Sequence, residues 1–355
     1  MIKQKNTFIK NIYYMLSYAF TILNQGDHKD IATEEFENIH ILFAAIFAKG
    51  ISRQLKQGLY REYLNRKENI AVLRGKVDMP GTIRNQLDRK RMLTCEYDEF
   101  TENNLLNQIL KTTVMLLLHH TQVEEEYKNV LKREMLFFSN VETINPSRIR
   151  WSTIRFRRNN NDYRMLISLC QLILEGMLLT TDSGEYKLAS FIDEQRMNRL
   201  FEKFILEYYI KECPQVEATA SKIPWALDDG IGTMLPEMQS DIMLSSDNEV
   251  LIIDAKFYSR TTQSQFDTHT LHSGNLYQIF TYVKNKDSGF GEQPHTVSGM
   301  LLYAATDEKI QPNNTYQMSG NKISVRTLDL NREFIEIAEQ LNMIVEKHFG
   351  KIVRA

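Results

Sequence analysis

The stretch Leu235 to Lys256, LPEMQSDIMLSSDNEVLIIDAK, constrains this chain more than any other. Two short apolar runs, Asp241 to Leu244 and Val250 to Ile253, flank the polar tetrapeptide Ser245 to Asn248, which is the pattern of a β-hairpin. A four-residue loop sets Leu244 opposite Glu249 and Asp241 opposite Ile252. Opposite residues share a sheet face, and side chains alternate with period two. Glu237, Gln239, Asp241, Asp254 and Lys256 are then expected on one face. Asp241 and Asp254 become diagonal neighbours, about 7–8 Å apart at the backbone. Two carboxylates at that spacing can hold one hard cation; an odd loop length would send them to opposite faces.

The end of the second run carries a further constraint. Val250 to Ile253 reads as buried on both faces, yet it continues directly into Asp254 and Lys256. Buried charge is costly unless it is paired or bound to metal. An Asp–Lys ion pair where the strand surfaces accounts for the pattern without any metal, and the hairpin geometry favours a metal site.

A chain of 355 residues has room for two domains, each with its own core. Thr180 to Lys187 is the best candidate boundary, dividing the chain into 1–187 and 188–355. The hydrophobic fraction of 43% and charged fraction of 25% are those of an ordinary soluble protein. Cys95, Cys170 and Cys213 are isolated, which fits a reducing cytoplasm and argues against a zinc or iron–sulfur cluster. Lys3, Lys5 and Lys10 precede a segment broken by tyrosines, without the features of a signal peptide, and no apolar run reaches membrane length. No glycine-rich phosphate loop is present.

Net charge is −2, but it is uneven: Arg53 to Arg91 holds eleven Lys and Arg against four acids, and Arg148 to Arg164 holds six arginines against Asp162. Both are candidate phosphate-facing patches. The second interleaves Trp151 and Phe156, which suits a nucleic-acid surface. The same two rings equally serve as anchors for an exposed segment.

Asn11 reads as the cap of a helix carrying Ile12, Leu16, Ala19, Phe20 and Leu23 at helical spacing. Thr33 to Leu64 reads as one or two more helices, and Ile70 to Asp78 as strand or turn, ended by Met79-Pro80-Gly81. Helices are expected over Glu102 to Leu118, Glu124 to Phe138 and Tyr163 to Leu179. The second half alternates: helix Asp193 to Glu212, strand Val216 to Ala220, the hairpin, helix Asn275 to Asn285, strands Thr296 to Ala304 and Lys322 to Leu328, helix Asn331 to Phe349. The expected fold is α+β: a mostly helical N-terminal domain, then an α/β domain with a mixed sheet flanked by helices.

The second half resembles the PD-(D/E)XK nuclease superfamily. Asp241 and the triplet Asp254-Ala255-Lys256 carry the likeness, and Gln278-Ile-Phe-Thr-Tyr282 is similar to the Q-x-x-x-Y helix of RecB-like members. The likeness extends further. Lys10 to Ala19 (KNIYYMLSYA), Leu73 to Asp78 (LRGKVD) with Thr82-Ile-Arg84, Asp98 with Glu102 and Asn103, and Asn275 to Gln278 (NLYQ) together resemble the McrC family, nuclease subunits of McrBC modification-dependent restriction systems. This resemblance covers nearly the whole chain. It implies a partner, an McrB-like AAA+ ring that hydrolyses GTP and recognises DNA carrying modified cytosine such as 5-methylcytosine. The N-terminal domain would engage the ring and stimulate it, and the C-terminal domain would cut both DNA strands, with pairing between two McrC copies. One departure stands out: the superfamily's first motif is often Pro-Asp, whereas Pro236 is followed here by Glu237. Asp241 is therefore taken as the ligand and Glu237 as a neighbour.

On this reading Asp241, Asp254 and the Ala255 backbone carbonyl offer hard oxygen ligands suited to Mg²⁺. Lys256 orients or deprotonates the attacking water or stabilises developing charge. Gln278 and Tyr282 are candidates for positioning Lys256 or a phosphate; Glu202 and Glu207 are candidate water or metal partners, a solvated helix face being the favoured reading for at least one of them. His272 has the weaker claim. Arg74, Lys76 and Arg84 are the candidates for coupling to the GTPase. Two other readings remain open from sequence: a RecB-like exonuclease acting without a GTPase, and a regulatory adaptor of an AAA+ ring.

Overall fold

The computed structural model describes residues 2–19, 36–157, 160, 163–180, 186–188, 192–258, 262–265, 268–306, 308 and 311–350. The chain opens with α1 (Ile2–Ala19) and α2 (Ile39–Gln57), then β1 (Glu62–Ile70), β2 (Lys76–Val77), α3 (Met79–Leu87) and β3 (Leu93–Thr101). Helices α4 (Leu105–His119), α5 (Glu125–Met135) and α6 (Tyr163–Gly176) follow, then the short strands β4 (Leu178–Thr180) and β5 (Tyr186–Leu188). The remainder runs α7 (Glu194–Glu212), β6 (Glu217–Thr219), β7 (Lys222–Ile223), β8 (Met238–Gln239), β9 (Ile242–Ser246), β10 (Glu249–Lys256), β11 (Thr262–Gln265), β12 (Thr268–Leu271), α8 (Ser273–Ser288), β13 (Thr296–Ala304), β14 (Asn314–Met318), β15 (Asn321–Leu328) and α9 (Phe334–Phe349).

The fold is mixed α+β, and the chain forms two compact units: residues 1–42 with 190–355, and residues 43–189. The sequence division at 187/188 thus assigns the first helix to the wrong partner. Ile9, Ile12, Tyr13 and Leu16 of α1 are all buried. Tyr14 stacks on Phe334 of α9 at 4.1 Å, and Tyr18 Oη donates to Glu212 of α7 at 2.9 Å. Asn11 is no cap. It lies within α1, and its Nδ2 donates to the Leu330 and Arg332 carbonyls at 2.8 and 2.7 Å. An apolar helix face is buried wherever a complementary face exists, and sequence distance has no say in that. The proposed linker Thr180 to Lys187 lies in part outside the described residues.

The unit formed by residues 43–189 holds more sheet than the sequence suggests. β1 and β3 pair antiparallel over nine residues, from Glu62↔Thr101 to Ile70↔Leu93, with β2 on the far side of β3. The helix expected to reach Leu64 ends at Gln57, followed by Gly58 at φ +88, a left-handed conformation that glycine adopts without strain. Met79-Pro80-Gly81 starts a helix instead of ending a strand. Proline is tolerated in a first turn because its missing N–H would be unpaired there anyway, and Asp78 caps the turn by accepting from Gly81 N–H at 3.0 Å. Trp151 and Phe156 are partly buried while Arg148, Arg150, Arg155 and Arg157 are exposed, so the rings anchor an exposed basic segment.

The other unit is built on a six-stranded sheet in the order β14-β15-β13-β10-β9-β6. β10, β13 and β15 are parallel; β14, β9 and β6 run antiparallel to their neighbours. Val250, Ile252, Val297, Leu301, Tyr303, Ile323 and Val325 form one core face against Ile279 and Val283 of α8. Gly299 lets α8 come this close, since a Cβ there would sit 2.8 Å from both Ile279 Cγ1 and Val283 Cγ2. On the other face Leu251, Met300 and Leu302 look across a cavity to Met343 and Ile344 of α9. Tyr208 and Tyr209 of α7 bind α9, donating to Asn342 Oδ1 and the Leu341 carbonyl at 3.0 and 3.1 Å. Among the described residues no helix is long and apolar enough to cross a membrane.

Candidate active site

The hairpin register decides where the charges go. β9 and β10 pair as Leu244↔Leu251, Met243↔Ile252 and Ile242↔Ile253. The loop is therefore Asp247-Asn248, two residues and not the expected four, with Asp247 at φ +50. Aspartate is among the few non-glycine residues that enter this region readily. The register moves by two, so parity survives. The ladder ends at Ile242↔Ile253, and continuing its register by one step sets Asp241 opposite Asp254 and not diagonal to it.

Below Ile242 the strand is diverted. Ser240 N–H donates to the Ser221 carbonyl at 3.0 Å, and Asp241 forms a bend. Ala255 N–H, left without a β9 carbonyl, donates to Asp241 Oδ2 at 3.0 Å. The same residue's carbonyl points to the same flank of an extended strand, beside Asp241. The bend also breaks the alternation expected upstream. Met238 and Gln239 pair with Ile223 and Lys222 in a separate ribbon, and exposed Glu237 pairs with Lys222 instead of joining the aspartates.

Lys256 lies between the two acids. Its Nζ is 3.0 and 2.9 Å from Asp254 Oδ1 and Oδ2, and 3.8 Å from Asp241 Oδ2. Asp254 is 0% and Lys256 8% exposed, so little water shares this charge. Burial raises both carboxyl pKa values despite the lysine, and the two acids are close enough to share a proton. For Lys256, burial works against the charge, but Asp254 and Asp241 together outweigh it and hold the ammonium above its usual range.

Glu202 on α7 joins this group. Burial, then the charge of Asp241, pushes its pKa up to about 7. Glu207 lies five residues on, about 140° round the helix, which separates it from Glu202. Gln278 Nε2 donates to Tyr282 Oη at 3.0 Å, so these two bind each other across one helical turn. Among the described residues no hydrogen bond links either of them to the aspartates or Lys256. His272 precedes α8, its ring 5.4 Å from that of Tyr258. Tyr258 Oη donates to Asn275 Oδ1 at 3.4 Å, and Asn275 Nδ2 donates to Tyr303 Oη at 3.0 Å, beside Lys256 in the sheet register. Arg74, Lys76 and Arg84 belong to the other unit. All three are exposed, and Arg74 lies 4.0 Å over the Tyr97 ring.

Among the described residues no group of three or more His, Cys, Asp and Glu side chains forms a metal-holding cluster. The donors here are two carboxylates and a backbone carbonyl, a set that fits a cation keeping several waters, as Mg²⁺ does. Two features of this site fit a cation between the acids. Asp254 Oδ2 is buried without an aligned hydrogen bond, and burial disfavours charge on both neighbouring carboxyls, a cost that a cation between them would offset. Sequence reasoning missed Asn198, which binds both Glu202 and Phe257; its only trace is the i, i+4 spacing to Glu202.

Comparison with known proteins gives three findings. A family model described as "McrBC 5-methylcytosine restriction system component" matches residues 3–304. The "Type IV methyl-directed restriction enzyme EcoKMcrBC" of Escherichia coli (strain K12) is 25% identical over 344 residues, 96% of this chain and 97% of that protein. A solved structure, a half-complex from a tetradecameric assembly of Thermococcus gammatolerans McrB AAA+ hexamers with bound McrC, aligns with TM-score 0.49 and 20% identity, covering 95% of this chain and 76% of that one.

Proposed function

The chain belongs to the McrBC 5-methylcytosine restriction system component family, and from that premise we propose that it is the McrC-type nuclease subunit, hydrolysing DNA phosphodiester bonds with Mg²⁺. The observation that carries this reading is the meeting of Asp241, Asp254 and Lys256 at the end of one buried strand. Three charged groups with so little exposure make a poor stability device, since replacing a buried ion pair with apolar residues is often neutral or stabilising. Their presence together is explained by chemistry.

Asp241, Asp254 and the Ala255 carbonyl would hold the cation. When bound, Mg²⁺ polarises a phosphate oxygen and lowers the pKa of a coordinated water. The chain's own groups do the rest. Asp241 is kept in place by Ala255 N–H, and Lys256 is kept charged by the two acids. That ammonium stabilises the negative charge that builds on the phosphate oxygens during attack. A lysine this firmly protonated serves poorly as a base, so Glu202, neutral or charged near pH 7, is the better proton acceptor from water.

The partner in this reading is an McrB-like GTP-hydrolysing AAA+ ring, and the substrate is double-stranded DNA with modified cytosine, in the cytoplasm. Arg74, Lys76 and Arg84, exposed on the separate unit, would couple to that ring. The decisive experiment is Lys256→Ala assayed with the GTPase partner, methylated DNA and Mg²⁺. Cleavage should fall by at least about 10²–10³-fold while stimulation of GTP hydrolysis persists. Near wild-type cleavage by this variant would end the assignment.

A further inference from the structure

Asn198 sits one turn before Glu202 on α7 and touches two parts of the site at once. Its Oδ1 accepts from Phe257 N–H at 2.6 Å, and its Nδ2 donates to Glu202 Oε1. Phe257 is the residue directly after Lys256, where β10 ends. A backbone N–H can only donate, so it dictates which end of the Asn198 amide faces the strand. The amide nitrogen is thereby turned toward Glu202. One planar group thus joins the helix carrying the third carboxylate to the strand end carrying Asp254 and Lys256. The rings of Phe8 and Phe201 flank Phe257 at 6.5 and 6.2 Å and hold this strand end from the side.

We propose that Asn198 is a positioning residue of the nuclease site, fixing the Glu202 carboxylate in register with Asp241 and Lys256 so that it binds a water of the cation's outer shell. This rests on the nuclease reading above. Neither bond of Asn198 is needed to build the sheet: the parallel ladder to β13 already reaches Lys256↔Tyr303. What the amide adds is orientation. Aspartate at 198 keeps the acceptor for Phe257 N–H but cannot donate to Glu202, and it adds a like charge beside it. Leucine, with the same branching but no polar atoms, removes both bonds.

The test uses the full chain and two readouts. The first is the upward shift in melting temperature of the isolated protein on titration with MgCl₂. The second is the Mg²⁺ concentration for half-maximal cleavage with the GTPase partner and methylated DNA. Asn198→Asp and Glu202→Gln should each weaken both apparent Mg²⁺ affinities by about 10- to 100-fold, the usual effect of losing a group that orients a metal site. The double variant should be no worse than either single variant, because the two groups act as one unit. If Asn198 is merely structural, Asn198→Leu lowers the melting temperature without Mg²⁺ yet keeps the wild-type Mg²⁺ response, and the proposal falls while the nuclease reading stands. A wild-type protein that neither responds to Mg²⁺ nor cleaves overturns both.

Discussion

Replacing Asp254 with asparagine should stabilise the metal-free protein while destroying its activity. The carboxyl is fully buried, and burial, against the pull of Lys256 and reinforced by Asp241, lifts its pKa from 3.8 to about 7. Between these two values the folded state keeps a proton that the unfolded chain has released. Stability therefore falls as pH rises from about 4 to about 7 and stays low above that. Roughly three pKa units at about 1.4 kcal/mol each set an upper bound near 4 kcal/mol. The substitution also gives up the close ion pair with Lys256, which offsets part of this gain, so about half, ~2 kcal/mol, is taken as the net. Asparagine has nearly the same shape and carries no charge at any pH. In a unit of this size ~2 kcal/mol corresponds to about 4–8 °C in melting temperature. The assay is thermal unfolding of both full chains at pH 5 and pH 8 with EDTA, and at pH 8 with MgCl₂. Asp254→Asn should melt higher at pH 8 in EDTA, with the gap cut by more than half at pH 5, and Mg²⁺ should raise the wild type alone. A variant less stable than wild type at pH 8, or a gap independent of pH, refutes the argument that these acids are held together against their own electrostatics.

Other consequences are more local. Gly299→Ala places a methyl group 2.8 Å from Ile279 and Val283, and should cost about 1–3 kcal/mol in urea unfolding; an unchanged midpoint would mean that α8 shifts freely. Asn11→Leu leaves the Leu330 and Arg332 carbonyls without their side-chain donor and should cost about 1–3 kcal/mol, with faster amide exchange in α1. Changing Arg74, Lys76 and Arg84 together to alanine should lower stimulation of partner GTP hydrolysis while the melting temperature stays within a few degrees of wild type. Full stimulation would remove these three from the partner surface.

Much of the C-terminal sheet was legible because its strands are apolar and its helices periodic. The strand Thr296 to Ala304 is found as expected, and the helix expected from Asp193 starts one residue later with Asp193 as its cap. The first unit was read poorly for the opposite reason. β1 and β3 are largely polar strands with much exposed surface, so no alternating apolar stripe marks them. Their order comes from pairing with each other, a non-local fact. β14, an outer strand with mostly exposed side chains, escaped notice in the same way.

The candidate site divides along a similar line. That Asp241 and Asp254 share a face was expected from a four-residue loop and survives with the two-residue one, because side chains alternate with period two and both loops are even; an odd loop would have parted them. That they meet head-on was settled by the two-residue turn and the bend at Asp241. Which carboxylate joins them was not written in any motif. Glu237 lies nearer to Asp241 in sequence but is drawn off by Lys222, whereas Glu202, on a distant helix, is brought in by packing and held by Asn198. Local periodicity decides which way a side chain points. Only the packing of distant segments decides what it meets there, since burial energy follows the surfaces that fit together and is indifferent to their separation along the chain.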